Sequence, residues 1–597
     1  MDRPEARFRA LRRALARPHA LAKRTAGWFF ATLDGRTALV AAGLALAFAA
    51  VGFRLVRVQL HPDKTVVTPK EFTRIVTAYR GCIFDRHGPG HPLAQTVPAW
   101  KIAADPMAFP DDAARGAAYR ALCDAGLCKA EKLYEALSAR RGHYRPIGTT
   151  TDPMVAAAVG KDPALRNRVR ADKVSRRSYP LGRGLCHVVG AVNSNEEPLC
   201  GLEKTLDAQL RGTDGRITGD ADRNRREIRS RRRECVDPVD GRSVVLAIDE
   251  TLQFAVDQAL DRAVEKWHPA AAWAIVQDPA TGEILAMSSR PDFDPSRFGQ
   301  ATPEQQSNRA ISTLYEPGSV MKTFAAAAAM DEGLVGTNTL LDVSPGLYCG
   351  RPLSDHTHGK NELTVAEMLA WSSNRGASRL GMMLGKERQQ RHLKEFGFGK
   401  ATGLPLRGEG SGRTIGDGSE LNNIRTSMGQ GMTCTAIQLV GAYSAIANGG
   451  SLMRPILVKA VLEPDGTPVF EARPQAVSHP VKPGTAEQLR AVLRSVAARG
   501  GTARRAAVPG YSVAGKTGTA QMVENGRYSN VKHRGTFVGF FPAMQPRFTI
   551  LVTLEAVPPT PETPKAYHGG LSAAPVFAEI AEAAARIYGV PPDEPET

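Results

Sequence analysis

Ser319 and Lys322 stand three residues apart in Tyr315-Glu316-Pro317-Gly318-Ser319-Val320-Met321-Lys322. A serine hydroxyl is a poor nucleophile near neutral pH. It needs a neighbouring base to take its proton and positive electrostatics to hold the oxyanion that its attack creates. An amine one helical turn away can be that base if burial or a second cation lowers its pKa, because both disfavour the ammonium. Ser-x-x-Lys alone recurs by chance in a chain of 597 residues, and its ordinary reading is a solvated helix start. Here Ser372-Ser373-Asn374 and Lys516-Thr517-Gly518-Thr519 follow in order and supply a second hydroxyl, an amide and a second amine.

These groups must be positioned by regular elements. Pro317 and Gly318 mark a turn and the alanine-rich run to Met330 favours helix, so Ser319 is expected at a helix start with Lys322 on the same face. Residues 243–249 read as a strand and 252–264 as an amphipathic helix. Two strand-like runs, 271–277 and 283–288, are joined by Asp278-Pro279-Ala280-Thr281-Gly282 as a hairpin. Helices are expected near 365–372 and 436–447, strands at 535–542 and 548–555, and a last helix at 573–587. Strands at both ends of a region with helices between them predict an α+β architecture, an antiparallel sheet flanked by helices. The Pro- and acid-rich end, 589–597, reads as a disordered tail.

The formal net charge of +17 favours anionic surfaces. No zinc spacing, RNA-recognition signature or helix-turn-helix pattern accompanies it, so nucleic acid is not assigned as a partner. Arginines and lysines dominate residues 1–36, and 37–53 is an uncharged apolar stretch close to the minimum bilayer span, with Trp28, Phe29 and Phe30 at its inner edge. This predicts a basic cytoplasmic segment (1–36), an anchor (37–56) and export of everything after it. The competing reading is a signal peptide cleaved near Ala47-Phe48-Ala49. Export permits disulfides: Cys123 and Cys128 bracket a short loop, and Cys186, Cys200 and Cys235 lie in one region, so a bridge is open to each group. No Cys-x-x-Cys pair is present, and no metal is assigned. The arginine-rich run 223–233 reads as a solvated, mobile loop, or as a surface for an acidic partner.

Between 60 and 241 the chain carries turn and charged residues at fixed points: Arg80-Gly81-Cys82-Ile83-Phe84-Asp85-Arg86, Arg177-Ser178-Tyr179-Pro180, Gly190-Ala191-Val192, and Gly201-Leu202-Glu203 with Leu206-Asp207. As an ordered set these resemble the non-catalytic pedestal of class B penicillin-binding proteins, with an alanine-rich helical lobe at 107–169. Ser-x-x-Lys, Ser-x-Asn and Lys-Thr-Gly are the known motif set of penicillin-binding proteins. With Asn308-Arg309-Ala310, Gly429-Gln430-Gly431 and Gly500-Gly501-Thr502, the resemblance extends from the anchor to Tyr588. It implies a pedestal at 60–241 and a transpeptidase domain at 242–588.

It also implies a role for each site residue. Ser319 would be the acylated nucleophile, Lys322 its base and Ser372 a proton shuttle to the leaving amine. Asn374 would bind the peptide donor and orient Lys322. Residues 516–519 would lie on an edge strand, where Thr517 and Thr519 hold the substrate carboxylate, Lys516 adds positive charge and Gly518 permits close approach. The reaction implied is cross-linking of stem peptides ending in D-alanyl-D-alanine through a serine ester, blocked by β-lactams, with no cofactor. Asparagine at 374 and the acidic-Pro-Gly at 316–318 resemble the division-type members. That implies a role at the septum of a Gram-negative-like inner membrane, with a polytopic membrane glycosyltransferase and other division proteins as partners. Elongation or sporulation types, a D,D-carboxypeptidase or β-lactamase, and a penicillin sensor or division scaffold remain alternatives.

Overall fold

The computed structural model describes residues 35–60, 70–127, 131–139, 142–221, 227–355, 359–414, 419–498, 501–524, 526–561 and 563–595. Apart from Arg36, the basic residues expected before the anchor lie outside them, as do Trp28 to Phe30, Cys128, Arg223, Arg225, Arg226 and Gly500. The chain forms two compact units, one of 1–76 with 215–237 and one of 77–214 with 238–597.

In the first unit the helix Gly35–Leu60 contains an apolar span, Thr37–Leu60, none of it buried in protein and long enough to cross a bilayer. The expected anchor ended at 56, and the helix runs four residues further. The same unit holds a three-stranded antiparallel sheet with Gly215–Ala221 between Lys70–Val76 and Glu227–Val236. The last strand corrects the reading of 223–233 as a mobile loop: from Glu227 onward it is a sheet edge. Carboxylates make this tolerable, since Arg233 meets Asp220 at 2.8 Å and also Glu71, Arg231 meets Asp220 at 3.8 Å, and Arg232 meets Glu227. Opposite charges across strands offset the repulsion among the arginines.

The second unit is built on two sheets. The first holds five antiparallel strands, β1 (Ala271–Gln277), β2 (Ile284–Arg290), β3 (Ala514–Glu524), β4 (Arg527–Phe541) and β5 (Phe548–Glu555), in the order β2-β1-β5-β4-β3. Continuous buried runs in β1, β2 and β5 mean that both faces are covered. The helices used below are α1 (Glu250–Trp267), α2 (Lys322–Asp331), α3 (Val365–Trp371), α4 (Asn374–Glu395), α5 (Ala436–Ala447), α6 (Pro483–Ala497) and α7 (Gly569–Tyr588). Helices α1 and α7 pack against the sheet, and α5 reaches it through β5, β4 and β1. The architecture is α+β, as expected, and α5, β1 and β5 keep their expected bounds.

The second sheet has seven strands, in the order Pro468–Glu471, Val458–Leu462, Ser243–Leu246, Ile83–Phe84, Pro92–Ala104, Arg145–Thr150, with Val169–Ser178 also pairing Pro92–Ala104. Ser243–Leu246 pairs in parallel with Ile83–Phe84 and antiparallel with Val458–Leu462, so one sheet runs across residue 241. The alanine-rich lobe has its own core, including Ala118, Leu122, Leu133 and Val159. It is not wholly helical, because Arg145–Thr150 joins the sheet.

Motif residues from 80 to 207 converge on one buried ion cluster. Arg80 Nε and Arg177 Nε donate to the two oxygens of Glu203 at 2.6 and 2.7 Å, and Arg80 Nη1 donates to Asp207 at 2.6 Å. Glu203 is fully buried. Two corrections remain. Cys186, Cys200 and Cys235 are free thiols, whereas Cys123 is disulfide-bonded. The tail expected to be disordered is docked as far as Glu594: Tyr511 Oη donates to Val590 O at 2.7 Å, and Ser512 N–H donates to Asp593 at 2.7 Å.

Candidate active site

Gly318–Met321 forms a single 3-10 turn that leads into α2, so Ser319 opens a helix that is buried from Lys322 to Met330. The all-alanine middle of α2 is what lets a helix run through the core with neighbours on every side. Gly318 has φ +64°, a conformation that L side chains rarely adopt. Its N–H donates to Gly429 O at 3.0 Å, and a Cβ on Gly429 would stand 2.1 Å from Gly318 O. The Gly429-Gln430-Gly431 stretch therefore backs the turn that carries Ser319. Glu316 ties the same turn down on another side, accepting from Gly431 N–H at 2.8 Å and from the Tyr528 hydroxyl at 3.0 Å.

Lys322 is 1% exposed. Its Nζ donates to Ser372 O at 2.5 Å, Asn374 Oδ1 at 2.7 Å and Ser372 Oγ at 3.2 Å. Burial lowers its pKa to about 7, against the opposing pull of the Asp355 charge. Lys516 is completely buried, and its pKa is pushed well below the ordinary lysine value by burial and by the charge of Lys322. Burial of both lysines, with the Lys322 charge acting on Lys516, makes an uncharged amine accessible near neutral pH.

Ser372 and Asn374 reach Lys322 because the chain makes a sharp break between α3 and α4. Ser372 is left-handed, at φ 60° and ψ 42°, a strained conformation for serine. Asp355 secures the break. It accepts from Asn374 N–H at 2.8 Å, Arg375 N–H at 3.1 Å and the Ser373 hydroxyl, and so caps α4 from outside. The side-chain amide of Asn374 donates to Ser354 O at 3.1 Å, which turns its carbonyl toward Lys322.

Residues 516–519 lie on β3, at the free edge of the five-stranded sheet, beside the turn that carries Ser319. A Cβ on Gly518 would stand 3.0 Å from Pro317 O and 3.1 Å from Val320 Cγ1, so this glycine lets strand and turn close up. Thr517 Oγ1 donates to Thr502 Oγ1 at 3.0 Å, and Thr519 Oγ1 lies 3.2 Å from His568 Nδ1. All eight residues expected at the site are thus gathered between α2, the α3–α4 break and β3.

Asp355, His568 and Tyr528 were missed by the sequence reading. Asp355 precedes the motif it caps by 18 to 20 residues, in an irregular segment with no period to mark it. His568 meets Thr519 from 49 residues away, at the cap of α7, and no motif in the sequence marks it. Chemically, the site offers a serine one turn before an amine of lowered pKa, a second hydroxyl on that amine, and an open strand edge with free backbone groups to align an extended peptide.

Residues 272–582 match the penicillin-binding protein transpeptidase domain, and 75–246 match the penicillin-binding protein dimerisation domain. The chain is 32% identical over 587 residues to the probable peptidoglycan D,D-transpeptidase PenA of Neisseria meningitidis, covering 95% of each protein. It is 31% identical to the peptidoglycan D,D-transpeptidase FtsI of Escherichia coli over 87% of this chain and 85% of that one. The crystal structure of penicillin-binding protein 3 from Mycobacterium tuberculosis, complexed with aztreonam, superposes with a TM-score of 0.67 at 30% identity, covering 88% of this chain and 99% of that one. The chain belongs to the class B penicillin-binding proteins and is a serine-type peptidoglycan D,D-transpeptidase.

Proposed function

We propose that Ser319 is the residue acylated and that the enzyme cross-links peptidoglycan at the division septum. The observation that carries the chemistry is the buried Lys322 amine, held by Ser372 and Asn374 with its pKa lowered to about 7. Lys322 takes the Ser319 proton as the hydroxyl attacks the carbonyl of the penultimate D-alanine. Ser372 relays that proton to the departing D-alanine amine, and an amine from a neighbouring stem then resolves the ester. Backbone N–H groups of Ser319 and Thr519 hold the oxyanion. Asn374 binds the donor peptide, Thr517 and Thr519 bind its terminal carboxylate with Lys516 adding positive charge, and Gly518 keeps the approach open.

The proposed organisation is a basic cytoplasmic segment (1–36), an anchor beginning at 37, a pedestal (60–241) and a transpeptidase domain (242–588) outside the inner membrane. The dense positive charge before the apolar helix supports this orientation. Asn374 and Glu316-Pro317-Gly318 support the division type, with a polytopic membrane glycosyltransferase and other division proteins as partners. The test at the site is mass spectrometry after labelled penicillin: one adduct is expected, on Ser319, and none in Ser319→Ala. Depletion in the host tests the septal role, with filaments expected; rounded cells that still divide would assign the enzyme to elongation instead.

A further inference from the structure

Away from the cleft, the turn between the strands Ile83–Phe84 and Pro92–Ala104 faces the start of α1 with side chains that the transpeptidase reaction does not use. Asp85, His91 and Glu250 each offer one ligand atom, and the three atoms lie within 4.8 Å of one another. His91 Nδ1 is 3.7 Å from Glu250 Oε2. His87 Nε2 is 3.6 Å from Asp249 Oδ2 and 3.9 Å from Asp85 Oδ2. Three carboxylates and two imidazoles therefore meet where the turn meets the helix.

The hydrogen bonds leave this cluster incomplete. The Asp85 side chain is 1% exposed. Its Oδ1 accepts from His87 N–H at 2.8 Å, whereas among the described residues the Oδ2 facing the imidazoles has a hydrogen bond only from Glu250 N–H, at a long 3.4 Å, with His87 Nε2 further off at 3.9 Å. Both Asp249 oxygens already accept, Oδ1 capping α1 through Leu252 N–H at 3.0 Å and Oδ2 taking the Tyr588 hydroxyl at 2.9 Å. Arg86, the guanidinium of the same turn, is committed to Glu283 and Tyr588, each at 3.0 Å. A buried carboxylate oxygen without a close donor or cation is costly. A cation among these groups removes the cost.

We propose that the turn 85–91 and the first residue of α1 form a divalent-metal site of the zinc class. Asp85, His91 and Glu250 are its ligands, with His87 in reach as a fourth. Three atoms within 4.8 Å of one another share a point no further than about 2.8 Å from each, so movements of under about 1 Å bring them to the 2.0–2.2 Å of zinc ligation. Imidazole with carboxylate suits zinc and its neighbours cobalt and nickel better than calcium or magnesium. The histidines are half-exposed, which leaves room for water on the open side. Cysteine spacing gave no hint of such a site, because its ligands come from a hairpin turn and a helix start more than 150 residues further along the chain. A metal here ties the dimerisation-domain match to α1, the helix that precedes the transpeptidase match.

Full-length protein in detergent, stripped with EDTA and dialysed against micromolar zinc, is expected to retain one more equivalent of zinc than the His91→Ala/Glu250→Gln variant. Cobalt in place of zinc should give a visible d–d spectrum that the variant lacks. Both substitutions fall on residues with exposed surface, and unchanged acylation by labelled penicillin serves as the control for folding. His87→Ala alone should weaken zinc binding while leaving acylation intact, which provides a second variant should the first lose its fold. Equal zinc and equal cobalt spectra in wild type and variants would overturn the proposal, as would wild type that retains no zinc.

Discussion

At Lys322 two demands oppose each other, since the amine must be uncharged to act as a base yet is surrounded by oxygen atoms that favour its ammonium. Burial prevails and brings the pKa to about 7. The acylation rate with a β-lactam should therefore rise with pH and level off above about 7, and a flat profile from acid to alkaline pH would contradict this. The linkage sign is that of a lysine lowered by folding: the unfolded chain binds the proton up to 10.5, so the stability contribution grows as pH rises from about 7 to 10.5 and is lost as pH falls. Asp355 pulls the other way. In Asp355→Asn the acid limb should move to lower pH, and loss of the charged cap should cost about 1–2 kcal/mol, readable as a lower melting temperature. Ser319, Lys322, Ser372 and Asn374 were legible because their spacing is local and their types are chemical. Asp355 was not, because a cap that arrives from a loop leaves no periodic trace.

Among the elements, the break between α3 and α4 and the glycine backing of the serine turn set the geometry. Ser372 stays left-handed at a cost of about 1–2 kcal/mol that glycine would not incur. Ser372→Gly should thus retain or raise the melting temperature while acylation falls at least about 100-fold, the scale of a lost proton-transfer group. Equal losses of stability and rate would mean that the hydroxyl serves only the fold. Gly429→Ala combines φ +79° with a Cβ 2.1 Å from Gly318 O. It should slow acylation and destabilise by about 2–4 kcal/mol, measured by denaturant unfolding. Period and turn residues disclosed α1, α2, α3, α5, α7 and the β1–β2 hairpin, whereas the edge position of 516–519 came from the family resemblance and α4 and α6 were not expected. The sequence did not disclose the conformation of Ser372, since serine carries no mark for it. The arginine-rich strand was also hidden, because apart from Glu227 its carboxylate partners, Asp220 and Glu71, lie on other strands.

For the molecule as a whole, the seven-stranded sheet matters most. A chain begun at residue 242 lacks Ile83–Phe84 and leaves the backbone of Val244 and Val245 unpaired on that side. It should aggregate, whereas one begun at about residue 60 should be soluble and bind penicillin; a monodisperse, active product from 242 would contradict this. Arg177→Ala leaves Glu203 half-neutralised in a dry site and should cost about 3–5 kcal/mol, with loss of penicillin binding following the unfolding curve. The residues of that cluster stood out in the sequence as motifs, but their meeting point did not, because three separate segments supply it. The sheet also imposes a timetable on biosynthesis. Ser243–Leu246 waits for Val458–Leu462, which in turn pairs with Pro468–Glu471. In the orientation proposed above, a nascent chain crossing the bilayer thus presents Ser243–Leu246 with one of its two partners still unmade, a long interval in which an exposed edge invites misassembly. If the proposed orientation holds, chaperones on the outer side of the membrane should be found on this protein until roughly four-fifths of it has emerged, and ribosome-stalled chains ending before residue 458 should be the species they hold.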